Sequence, residues 1–155
     1  MDKVFQHFNY NEMIKSDTAK KLGIDNTPTD DLVIANIMFT LRCLDTIRDI
    51  WGQPIIITSG YRTYELNKAL RGAKTSQHVN GEAADFVTKG EKNNKELYEF
   101  IRDHFHYDQL ICEKPDNKGN CGWVHCSFLN EFTANRREAL IFKNGRYIKD
   151  PNQPK

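Results

Sequence analysis

The sequence predicts an α+β fold in which helices pack on a small, mostly antiparallel sheet. Three observations predict it. Val33, Ile37, Leu41, Leu44, Ile47 and Trp51 recur at helical spacing and form one long apolar stripe. Runs at 54–58, 81–87, 107–113 and 123–128 read as short strands. Asn144-Gly145, between Phe142-Lys143 and Arg146-Tyr147, is a two-residue hairpin signal. At 155 residues the chain has room for one domain with a real core and too little for two.

Taken in order, residues 1–28 form a segment of small helical pieces. Asn9, with Glu12 three residues on, suits a capping box, and Ser16 or Asp17 starts a second short helix that stops at Gly23. Thr27-Pro28-Thr29-Asp30 reads as the start of the long helix, with a hydroxyl cap, proline at the first position and acids in the first turn. Gly52 and Pro54 end it. A stripe of this kind is core, not a cofactor box.

Residues 54–58 are a β-branched run expected to be a buried strand, delivering Ser59-Gly60-Tyr61-Arg62 to a turn. A short helix follows at 64–70, then a loop. After the strand at 81–87 a polar linker leads to a helix at 95–104, with Leu97, Phe100, Ile101 and His104 facing inward. The strands at 107–113 and 123–128 are expected to pair antiparallel across the polar loop 114–122. Residues 29–130 make the core of the domain, 131–150 a C-terminal hairpin and 151–155 a disordered tail.

Composition excludes several function classes. The net charge is +1 and no basic stripe appears, so nothing points to nucleic acid, and Arg136-Arg137 reads as a solvated pair. No run approaches the ~18 apolar residues of a membrane helix. The N-terminus lacks the apolar core of a signal peptide, so synthesis in the cytoplasm is expected, with release or export needed to reach a cell wall. A monomer is expected. Cys43, Cys112, Cys121 and Cys126 make no C-x-x-C pair and read as small buried hydrophobes in a reducing compartment. A Cys112–Cys121 or Cys121–Cys126 disulfide is the less favoured alternative.

The chemistry concentrates in Ser76-Gln77-His78-Val79-Asn80-Gly81-Glu82-Ala83-Ala84-Asp85. Alternation along 81–87 puts Asp85 on a wall of small and apolar residues, where a metal ligand fits better than a solvated charge. His78 and Asp85 are two of the three protein ligands a catalytic zinc needs. In Trp123-Val124-His125-Cys126-Ser127, alternation puts Trp123, His125 and Ser127 on one face, making His125 the third candidate. His7, His104 and His106 are weaker choices.

These elements resemble the D-alanyl-D-alanine carboxypeptidase-like zinc peptidases. That superfamily includes cell-wall carboxypeptidases, vancomycin-resistance dipeptidases and phage endolysins, and its fold is shared with the signalling domain of Hedgehog proteins. The likeness extends to Ile57-Thr58-Ser59-Gly60-Tyr61-Arg62 and covers residues 5–130. It implies one zinc ion on His78, Asp85 and His125, an arginine (Arg62) lining the active site, and a serine (Ser76) bonded to substrate or a neighbouring ligand. Some members carry a glutamate three residues before the last histidine, where this chain has Gly122. Glu113 is the replacement general base. It shares a strand face with Gln109 and Ile111, and Asp-Gln-Leu-Ile-x-Glu before Trp-Val-His resembles the endolysin-like branch. Asp116 and Glu82 are more distant alternatives. Tyr61 and Trp123 read equally as groove lining and as core.

The implied activity is zinc-dependent hydrolysis of a peptide bond in peptidoglycan stem or cross-link peptides, in a phage or prophage lysis enzyme. The bond is that of a D-Ala-D-Ala carboxypeptidase, a dipeptidase or an L-alanyl-D-glutamate endopeptidase. The rival is a catalytically silent zinc-binding module that binds wall or protein, a virion component among its variants.

Overall fold

The computed structural model describes residues 4–131 and 134–155. Five helices and a six-stranded sheet occur among the described residues. The N-terminal segment forms α1 (Tyr10–Ile14) and α2 (Asp17–Leu22), with the expected Asn9–Glu12 capping box and with Ser16 capping α2. The apolar stripe forms α3 (Asp31–Trp51), burying Ile37, Leu41, Leu44, Ile47 and Trp51. Its cap differs from expectation. Asp30, rather than a hydroxyl, accepts from the backbone N–H groups of Leu32 and Val33, and Pro28 lies ahead of the helix. A carboxylate caps well and its charge complements the helix dipole, so the start falls at Asp31.

The strands are β1 (Ile55–Ser59), β2 (Ala83–Thr88), β3 (Gln109–Glu113), β4 (Trp123–Ser127), β5 (Glu138–Lys143) and β6 (Arg146–Lys149), with α4 (Tyr64–Ala69) and α5 (Asn94–His104) between them. Their spatial order is β1-β2-β4-β3-β5-β6. All neighbours pair antiparallel except β3 and β5. The expected hairpin of β3 and β4 forms, as does the tail hairpin of β5 and β6, whose Asn144 and Gly145 both have positive φ.

Alternation gives the sheet two faces. Ala84, Phe86, Leu110, Cys112, Val124, Cys126 and Ala139 are buried in one core cluster with the stripe of α3 and with Leu97 and Ile101 of α5. On the opposite face, cross-strand pairing lines up Asp85, His125, Ile111 and Leu140 in one row across four strands. α3 and α5 thus occupy the core side and leave a chemically loaded face open.

Several expectations are corrected. The run at 54–58 is an edge strand, not a buried one: Ile55 is buried but Ile56 is 43% exposed. His104 is exposed, and Tyr98 and Arg102 take the buried positions of α5 instead. Arg136 is no simple solvated residue, since it ion-pairs with the buried Asp108 at 2.8 Å. The tail is tied down as far as Gln153. Asp150 is buried and bonded to Tyr98 and Arg102, and the Gln153 side chain accepts from Ala139 N. Cys112 and Cys121 form a disulfide, while Cys43 and Cys126 are free. The turn at Asp116–Asn120 folds the loop back on itself, bringing the two Cα atoms to 5.1 Å, within bonding range.

Candidate functional site

Three side chains converge on the open face: His78, Asp85 and His125 have potential ligand atoms all within 4.8 Å of one another. Asp85 and His125 are register partners on β2 and β4. His78 arrives from the loop before β2, and Gly81 lets it. Gly81 has φ +74°, and a Cβ there would stand 2.8 Å from Val33 O and from Ile37 Cγ1 of α3. Both the left-handed backbone and the close approach to the helix demand glycine. Gly60 is a second position closed to a side chain, here by close approach alone, because a Cβ would collide with Met13 O, and its carbonyl is the one that holds His78.

That carbonyl accepts from His78 Nδ1 at 2.7 Å, which turns the unprotonated Nε2 toward Asp85 Oδ1, 3.3 Å away. His125 Nδ1 approaches the same oxygen at 2.9 Å. The edge of a tetrahedron with ~2.0–2.1 Å metal–ligand bonds is ~3.3–3.4 Å, close to the separation of His78 Nε2 from Asp85 Oδ1. Two imidazoles and a carboxylate, with room for a fourth ligand, are also the donor set of catalytic zinc. Asp85's other oxygen is occupied, since Arg62 Nη2 lies 3.3 Å from Oδ2. The residues therefore fit a metal ion.

The electrostatics agree. Burial pushes the His78 pKa down, against the pull of Asp85. Burial would raise Asp85, but the two histidines beside it outweigh this and hold its carboxyl well below the usual range. The favoured state pairs a neutral imidazole with an ionised carboxylate, ready for a cation.

The cluster lies on the floor of a cleft of about 640 Å³. A larger cleft, about 790 Å³, lies between α5 and the 114–119 loop and contains none of these three residues. Arg62, Ser76, Glu113 and Trp123, all singled out in the sequence, line the smaller cleft. Glu113 pairs with Trp123 two register positions beyond Ile111↔His125, so it is a diagonal neighbour of His125 on the same face. Burial raises its carboxyl pKa, partly offset by His125 and by a hydrogen bond from Tyr147. Gly122 is adjacent: its N–H donates to Glu113 O at 2.8 Å.

Arg62 donates to Ser59 and Asp85 through Nε and Nη2, and Nη1 has no hydrogen bond among the described residues. Ser76 Oγ accepts from His78 N at 3.3 Å, which leaves its own proton free to be donated. Tyr61 lies outside this cleft, against the core and the groove beside β1. Glu82 and Asp116 do not line the cleft: Glu82 meets Gln77, and Asp116 caps its own loop.

The family model for Peptidase M15 matches residues 6–127, which contain all these ligands. The chain belongs to the peptidase M15 family. M15 peptidases are zinc-dependent, so membership makes this a metallopeptidase with His78, Asp85 and His125 as its possible metal site. No curated protein matches the chain. The M15 match stops before β5 and β6, yet Leu140, Phe142 and Tyr147 of that hairpin, with Arg136 just ahead of it, line the same cleft. Sequence reasoning missed all four. The hairpin itself was visible, but its parallel docking on β3 has no local signal.

Proposed function

We propose that the chain hydrolyses a peptide bond in peptidoglycan stem or cross-link peptides, with one zinc ion held by His78, Asp85 and His125. The observation that carries this reading is the cluster of two imidazoles and one carboxylate at the floor of an open cleft, with Glu113 as a diagonal neighbour. A bound zinc ion supplies Lewis acidity, polarising a carbonyl and lowering the pKa of water towards ~7.

Glu113 takes the proton from the attacking water and passes it to the leaving amine as the C–N bond breaks. Its raised pKa suits a group that must both accept and release a proton. Arg62, with Asp85 on one side and an unused Nη1, is the donor for a substrate carboxylate or the developing oxyanion. Ser76 donates a hydrogen bond from its hydroxyl to substrate or to a neighbouring ligand. Resemblance to the endolysin-like branch at 108–113 supports a phage or prophage setting, with the chain acting on the wall from outside the cytoplasm.

A second reading has one observation in its favour. Gly122 stands where some relatives carry a glutamate, as a catalytically silent zinc-binding module would permit. One experiment separates the two. Purified peptidoglycan is incubated with zinc-loaded protein, with a chelated sample, and with His78→Ala and Glu113→Gln variants, and the products are weighed by mass spectrometry. New stem-peptide fragments are expected with the loaded wild type alone, and their masses name the bond. Intact peptidoglycan across several wall chemistries would favour the silent module. Stoichiometric zinc retained by His78→Ala would overturn the ligand assignment.

A further inference from the structure

Glu113 has one hydrogen-bond partner for its carboxylate among the described residues, and it comes from outside the M15 match. Tyr147 Oη lies 3.2 Å from Glu113 Oε1 and 3.4 Å from Oε2. We propose that Tyr147 is a positioning residue for the reaction, holding the Glu113 carboxylate in place through both halves of its proton transfer. The proposal rests on the reading of Glu113 as the proton-transfer group.

The architecture supports it step by step. Glu113 ends β3, and Tyr147 sits on β6, with β5 in between. Two strand spacings, ~10 Å, separate their backbones, so only a long side chain with a polar tip on β6 can span the gap. The parallel pairing Cys112↔Ile141 and the hairpin pairing Phe142↔Tyr147 put Tyr147 on the same face as Glu113. The Asn144-Gly145 turn, with φ of 52° and 75°, fixes that hairpin register. Phe142 steadies the ring edge-to-face, with centroids 5.1 Å apart.

Tyr147 is 53% exposed and is no part of the core, so burial does not account for an aromatic there, and contact with Phe142 needs no hydroxyl. A hydroxyl has a property that suits the task. It donates to an ionised carboxylate and accepts from a protonated one, so the contact survives when Glu113 takes a proton from water and when it yields that proton to the amine. A lysine would pair with the anion alone and would oppose protonation.

Tyr147→Phe tests this, since it keeps the ring against Phe142 and removes only the hydroxyl. The substrate is the stem peptide found cleaved in the assay above. We expect kcat to fall ~10-fold with KM within ~2-fold, and zinc content and Tm to match wild type. In metal-free protein labelled with ¹³C at glutamate carboxyls, the Glu113 resonance moves between wild type and Tyr147→Phe. A Glu113→Gln/Tyr147→Phe double variant is expected to be no slower than Glu113→Gln alone. Wild-type kcat and an unmoved Glu113 resonance in Tyr147→Phe, with Glu113→Gln inactive, would overturn the positioning role and leave the general base standing. Full turnover by Glu113→Gln would overturn the general base, and the positioning role with it.

Discussion

Gly81→Ala should damage both fold and site, by an amount the structure sets. Two costs combine. An alanine at φ +74° occupies the left-handed region, at ~1–2 kcal/mol. Its Cβ also stands 2.8 Å from a backbone oxygen and a side-chain carbon of α3, so the helix or the loop must move, at ~1–3 kcal/mol for overpacking. The sum is ~2–5 kcal/mol, a large share of a typical domain's stability. With a urea m-value of ~2 kcal/mol/M, a loss of ~3 kcal/mol lowers the denaturation midpoint by ~1.5 M. The displacement also reaches the metal site. Gly81 N–H donates to His78 O, and Thr40 Oγ1 donates to Gly81 O, so moving Gly81 moves the loop that aims His78. Zinc affinity should therefore fall by ~10–100-fold, as when a metal ligand loses its orienting partner. Gly119→Ala is the control, with a similar φ of +81° and nothing within 4 Å of the added carbon. It pays the backbone cost alone and leaves zinc affinity unchanged. Urea denaturation and zinc titration of both variants decide the matter. Equal destabilisation by the two, or unchanged zinc affinity in Gly81→Ala, would refute the close-approach argument.

Two further predictions concern what holds the site's surroundings. Reducing Cys112–Cys121, which closes a separation of 9 residues, should cost ~2.5 kcal/mol by the loop-entropy relation, read as a lower urea midpoint with reductant; a Cys112→Ser/Cys121→Ser variant should be insensitive to reductant. Asp150 should give stability an acid-side dependence. Burial opposes its ionisation, but hydrogen bonds from Asn152 N, Arg102 and Tyr98 outweigh this and hold its pKa below the ordinary 3.8. A depressed folded-state value means the contribution is present above that ordinary pKa and is lost as pH falls through the folded value. Asp150→Asn should thus be ~1–3 kcal/mol less stable than wild type at pH 7, and the gap should close below about pH 4, followed by denaturant titration at each pH.

The candidate metal cluster was legible in the sequence for a local reason. Alternation in β2 and β4 dictates which face Asp85 and His125 occupy, and a strand period of two makes that reading robust. The helices were legible too, from the stripe of α3 and from the caps at Asn9 and Ser16, whereas the Asn93 cap of α5 was read as linker. Where a local choice was nearly balanced it went astray: Asp30 outcompeted a threonine cap, and β1 proved to be an edge because strand order is not written in its own residues.

Other features depended on contacts between distant parts of the chain. Pairing of Cys112 with Cys121 required the 114–120 loop to fold back, and burial of Asp150 required the tail to reach Arg102 and Tyr98. Arg62 illustrates the division within one residue. The resemblance of its Ser-Gly-Tyr-Arg turn made it a site candidate, but only the fold turned it onto Asp85 Oδ2 and left Oδ1 facing both histidines. By itself, then, the sequence determined the α+β class, the three candidate ligands and the face that Asp85 and His125 share, because side-chain period and residue chemistry are local properties. The tertiary structure decided the cleft and the partner of Glu113. Parallel docking of β5 on β3 brings Tyr147 to a carboxylate 34 residues away, and that docking depends on the whole sheet rather than on either strand.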